Sequence, residues 1–133
     1  MRLKRLDHVV VAVRELEEAA RDWERNLGLK TERVVEPAGS NMRLARLPVG
    51  NAFLELAQPL APDNPLAAFM DERGEGMFSL SIEVDDLEAA VVELRGRGVR
   101  VSDPEPGVWE GIRLARIDRG SAHGVTIQLV ERG

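Results

Sequence analysis

The chain has 133 residues, a length that favours one folding unit and excludes a large multidomain enzyme. Hydrophobic residues make up 44% and charged residues 31%, an ordinary globular mixture, while 18 Lys and Arg against 23 Asp and Glu leave a formal charge of -5. That balance argues against a nucleic-acid surface, which needs a net basic face to displace counterions. With no cysteine the chain has neither disulfide nor thiolate chemistry, so a metal would have to be held by nitrogen and oxygen donors.

In chain order, residues 1–5 are basic but lack the apolar stretch of a secretory signal. Residues 9–13 are apolar but far shorter than a membrane span, so a cytoplasmic protein without membrane segments is expected. Residues 8–13 read as a strand. Leu16, Ala19, Ala20, Trp23 and Leu27 then follow helical spacing, with Gly28 as the stop. Short β-like runs follow, divided by Gly, Pro, Asn and Asp, among them 42–50 and 53–56. Residues 58–76 form a connection in which Pro65 to Met70 predicts one short helix. A second strand at 79–84 precedes a helix with the apolar stripe Leu87, Ala90, Val91 and Leu94, for which Asp85 is the expected cap and Gly98 the end. Further strand-like runs lie at 112–117 and 126–130.

The second set of elements repeats the first. Residues 42–50 recur at 112–120, an offset of 70, with Arg43-Leu44-Ala45-Arg46 matched by Arg113-Leu114-Ala115-Arg116. His8 corresponds to Ser79 at an offset of 71, and Glu55 to Gln128 at 73. The expected fold is therefore α+β, two repeated βαβββ modules (about 4–57 and 77–131) joined by 58–76 in one domain spanning 1–133. The modules should form a cupped, mostly antiparallel sheet with helices on the outer face.

Strand residues alternate between faces, so parity sorts them. Val9, Val11, Val13, Leu54 and Leu56, with Leu80, Ile82, Val84, Ile127 and Leu129, belong to the helix-packing side. His8, Val10, Phe53 and Glu55 share the other parity, as do Ser79, Ser81, Glu83, Thr126, Gln128 and Val130. An imidazole and a carboxylate among aliphatic strand residues point to chemistry on that side, although a merely wet sheet face would alternate in the same way. Near the repeated strands, Arg43, Arg46, Arg113 and His123 are the evident cationic or donor groups; Trp109 and Phe78 stand at strand entries suited to a pocket mouth.

These features resemble the vicinal oxygen chelate superfamily, which includes glyoxalase I, extradiol dioxygenases and bleomycin-resistance proteins. The likeness is carried by residues 6–13 around His8, 23–28, 47–56, 59–65, 74–76, 83–86 and 123–129, and its pattern is nearest to methylmalonyl-CoA epimerase. The resemblance implies metal ligands at His8, Glu55, Ser79 and Gln128. Two positions depart from it: epimerase-type members carry His where this chain has Ser79 and Glu where it has Gln128.

Only His8, Glu55 and Gln128 then remain as ligands of a weakly held divalent ion, whether Ni, Co, Zn, Mn or Mg, or the chain holds none. The missing His removes the triad an extradiol dioxygenase needs. What the resemblance implies is an isomerase or lyase acting on a small carbonyl-containing substrate, with Glu55 or Glu83 as catalytic base. Ser79, Phe78, Arg43, Arg113, Trp109 and His123 would contact the substrate, and the chain would form a homodimer. The alternative it leaves open is a metal-free protein that sequesters a small molecule, as bleomycin-resistance proteins do.

Overall fold

The computed structural model describes residues 1–133. The chain is an α+β fold built from two βαβββ modules with a helix between them. The first comprises β1 (Leu3–Ala12), α1 (Leu16–Leu27), β2 (Arg33–Val35), β3 (Met42–Val49) and β4 (Ala52–Pro59). After the linking helix α2 (Pro65–Arg73), the second comprises β5 (Gly76–Val84), α3 (Leu87–Gly96), β6 (Glu105–Pro106), β7 (Ile112–Ile117) and β8 (Thr126–Arg132). No helix is long and apolar enough to cross a membrane.

Two compact units divide these elements, one of residues 8–78 and one of residues 1–7 with 79–133. Residues 1–7 fall with the second unit because the start of β1 is tied to it. Asp7, only 1% exposed, accepts hydrogen bonds from Arg5 Nη2 at 3.0 Å and from Arg132 Nε of β8 at 2.8 Å. Arg5 Nε also donates to Glu83 of β5 at 2.8 Å. A buried carboxylate is tolerable when cations and donors surround it like this.

In the unit of residues 8–78, β2 pairs antiparallel with β3, β3 antiparallel with β4, and β4 parallel with β1. A two-residue turn joins β3 to β4, pairing Val49 with Ala52, and Gly50 there adopts the left-handed φ of 57° that such hairpins require. One face of these strands is covered by α1. Val13, Leu16, Ala20, Ala45, Leu47 and Leu56 form its core, with Val11, Ala19, Trp23, Leu29 and Leu54 packed around them. Each fully buried Leu contributes about 1.5–3 kcal/mol. Leu27 departs from the expected stripe and is exposed, lying in the last turn, where Gly28 at φ 72° closes the helix by donating to Glu24 O.

The other unit repeats this plan. β6 pairs antiparallel with β7, β7 antiparallel with β8, and β8 parallel with β5. α3 packs Leu87, Ala90, Val91 and Leu94 onto Val84, Val101, Ala115 and Leu129, as the helical spacing predicted. Its cap is Asp86 rather than Asp85: Asp86 holds an extended backbone and its carboxylate accepts from Ala89 N at 3.0 Å.

The first N–H of each module's helix is also held by the module's last strand. Leu16 N donates to Gln58 of β4 at 2.9 Å, and Leu87 N to Glu131 of β8 at 2.7 Å. Gln58 and Glu131 each lie three residues beyond the repeat-related pair Glu55 and Gln128, so one strand both caps the helix and carries a candidate site residue.

Candidate functional site

In the unit of residues 8–78, strand register sets the polar face. His8 of β1 stands beside Phe53 of β4, and Val10 beside Glu55. Across the β3–β4 hairpin Arg46 is the direct partner of Glu55, and across β2–β3 Arg33 is the partner of Arg46. A row Arg33, Arg46, Glu55 and Val10 therefore crosses four strands on one face, with directly opposed Cβ atoms about 4.5–5.5 Å apart.

His8 and Glu55 are each 6% exposed. The His8 and Phe53 rings stack with centroids 4.4 Å apart at 13°. The Arg46 guanidinium lies 3.9 Å from the Phe53 ring centroid, and its Nε is 3.1 Å from Glu32 of the β2 approach. Guanidinium, phenyl and imidazole thus form a layered group beside a buried carboxylate. The guanidinium gains from the ring quadrupole.

The other unit has the corresponding row. Ser81 of β5 stands beside Gln128 of β8, and Gln128 opposite Arg116 of β7. The Ser81 hydroxyl is 3.3 Å from Gln128 Oε1 and donates to it, and Arg116 is ion-paired with Glu105 of β6. Two residues back along the strands and on the same face, Ser79 stands beside Thr126. Ser79 is 2% exposed and its Oγ has no hydrogen-bond partner. Glu83, two residues beyond Ser81 on the same face, is engaged by Arg5 at 2.8 Å and Lys4 at 3.5 Å.

The remaining expected contacts lie elsewhere. Arg43 is opposite Gln58 and ion-paired with Glu17 of α1 and with Glu36. Arg113 is opposite Glu131 and ion-paired with Glu88 of α3. Both therefore belong to the helix-covered faces, which corrects their expected placement with the site residues; the register brings Arg46 and Arg116 to the polar faces instead. The Arg113 guanidinium beside Glu88 holds that carboxyl below the ordinary glutamate range.

Phe78 packs edge-on against Phe69 of α2, with centroids 5.2 Å apart. Trp109 is buried ahead of β7, and its carbonyl accepts from Ile112 N at 3.2 Å. His123 sits exposed in a turn ahead of β8 at φ 54°.

The donor set does not suit a tightly held divalent ion. Of the four side chains that the resemblance assigns, only His8 and Glu55 are strong donors. Ser79 offers a neutral hydroxyl, and the Gln128 carbonyl already accepts a hydrogen bond from Ser81. A guanidinium opposite Glu55 further disfavours a second cation there. The carboxylates of Asp86, Glu88 and Glu131 also approach one another, but each is already engaged in the structure. Asp86 caps α3, Glu131 accepts from Leu87 N, and Glu88 pairs with Arg113.

Comparison with known proteins fits this architecture. The Glyoxalase/Bleomycin resistance protein/Dioxygenase superfamily profile matches residues 7–115, and the chain belongs to that family. Human mitochondrial methylmalonyl-CoA epimerase is 35% identical over 99 residues, covering 74% of this chain and 56% of the human protein. The chain thus corresponds to little more than half of that relative's length.

Among solved structures, methylmalonyl-CoA epimerase from Mycobacterium tuberculosis has a TM-score of 0.90 at 32% identity, covering 98% of this chain and 89% of that one. A Streptomyces coelicolor methylmalonyl-CoA epimerase variant in complex with 2-nitronate-propionyl-CoA has a TM-score of 0.92 at 25% identity, covering 99% and 96%.

Proposed function

We propose that the chain is an isomerase of the epimerase type, acting on a small carbonyl compound of the acyl-CoA thioester class. The observation that carries this reading is a buried carboxylate, Glu55, set beside a guanidinium and near an imidazole on one sheet face. The names of its relatives supply the substrate class. Glu55 takes the proton from the carbon next to the thioester carbonyl. As that C–H bond breaks, its electron pair moves into the carbonyl as an enolate; Glu55 gives up the abstracted proton to solvent, and a solvent-derived proton delivered to the opposite face of the same carbon completes the epimerisation. Glu83 is the weaker candidate for this role, because Arg5 and Lys4 already engage it.

No step in this scheme needs a metal. The resemblance assigns His8, Glu55 and Gln128 to one, and the donor chemistry of these residue types argues for weak occupancy by any divalent ion. The neutral side chains of Ser79 and Gln128 also support a second reading, a protein that binds such a ligand without turning it over.

The test is α-proton exchange of methylmalonyl-CoA in D2O, followed by collapse of the methyl doublet in the proton NMR spectrum. Exchange is expected with wild type and should slow at least about a hundredfold in Glu55→Gln. Calorimetric binding without exchange would favour the second reading, and equal exchange in Glu55→Gln would remove Glu55 from the mechanism.

A further inference from the structure

Where the resemblance calls for an ion, the first unit carries a fixed positive charge. Arg46 has two side-chain contacts, its guanidinium covering the Phe53 ring at 3.9 Å and its Nε 3.1 Å from Glu32, and its strand register sets it opposite Glu55. Phe53 is stacked in turn on His8, which comes from β1 on the other side of β4. Of the two strong donors of the first unit, His8 shares the Phe53 ring with that guanidinium and Glu55 is the arginine's partner in strand register.

The placement recurs at the repeat-related position, where Arg116 stands opposite Gln128. The Gln128 carbonyl there accepts from Ser81, which leaves the amide N–H groups as that side chain's donors. In both units, then, an arginine faces the position at which a metal ligand was expected.

We infer that Arg46 is the built-in cation of this site. It takes the place of a divalent ion beside Glu55, keeps such ions off the His8–Glu55 pair, and presents its guanidinium to an oxygen anion of the substrate. A guanidinium suits a planar carboxylate or an enolate-like oxygen because its N–H groups form a rigid fork. A divalent ion approaching Glu55 meets like charge and must displace the arginine first. The substrate part of this inference rests on the thioester reading above; the exclusion of metal does not.

The experiment is a CoCl2 titration of untagged protein, read by visible absorption and calorimetry, together with a malonate titration as the carboxylate probe. Wild type should show no saturable Co2+ binding below millimolar concentration. Arg46→Gln should gain at least about tenfold in Co2+ affinity and lose at least about tenfold in malonate affinity, a factor of ten being about 1.4 kcal/mol. The Co2+ gain should vanish in Arg46→Gln/Glu55→Gln. Arg46→Met, which keeps an extended side chain on Phe53, serves as the second variant should the first fail to fold.

Tight binding of one Co2+ by wild type, no gain in either folded variant, a gain that survives loss of Glu55, or malonate affinity indifferent to Arg46 would each overturn the inference. These titrations use neither turnover nor a thioester, so absence of α-proton exchange counts against the proposed reaction alone.

Discussion

Ser79 illustrates how one side chain can be buried without being satisfied. Its hydroxyl lies in the interior of its unit with no partner, at the position where the resemblance expects a histidine. Leaving a buried hydroxyl unpaired costs about 1–3 kcal/mol, so Ser79→Ala should raise stability by about 1 kcal/mol. A urea midpoint moved upward at unchanged slope would show this, and a loss of stability would mean that the hydroxyl has a partner in solution. Serine was legible as a departure from the family pattern. Its lack of a partner was not, because hydrogen-bonding depends on which neighbours packing brings within reach.

At the scale of elements, parity alone separated the helix-covered face from the polar face, since every strand alternates. Hairpin register was also available in part. The two-residue turn at Gly50 and Asn51 pairs Val49 with Ala52 and so obliges Arg46 to face Glu55, since both pairs of numbers sum to 101. That argument selects Arg46 over Arg43, which lies three residues away and on the opposite face. For Arg116 no such turn exists: β7 and β8 are separated by residues 118–125, and a loop of that length leaves the register open.

The helix caps were the other hidden feature. α1 has no side-chain bond from its own cap residue, Glu15, and relies instead on Gln58 for the N–H of the buried Leu16. Gln58→Ala should therefore destabilise the protein by about 1 kcal/mol, while Gln58→Glu should retain stability because a carboxylate suits a helix N-terminus. Chemical denaturation of the two variants checks this, and equal losses in both would contradict it.

At the scale of the whole molecule, duplication explains why two modules share one order of strands and helices, a first helix N–H held from the last strand, and one row of Arg opposite a site residue. What differs between the copies is charge. The first row holds Arg46 against the carboxylate Glu55, and the second holds Arg116 against the neutral Gln128 beside Ser81. Divergence of this kind keeps the fold while changing what the polar faces bind, because the helix-covered faces that stabilise each copy are separate from them.

The chain's place in the glyoxalase family was legible in the motif run around His8 and in the repeat. The role of Arg46 required the strand register and the aromatic stack beneath it.

The measurement that bears most directly on an epimerase-type reaction run by a protein cation is α-proton exchange of methylmalonyl-CoA by wild-type protein in D2O, with and without excess chelator. The account predicts the same exchange rate in both samples. Exchange abolished by the chelator and restored by a stoichiometric divalent ion would contradict it.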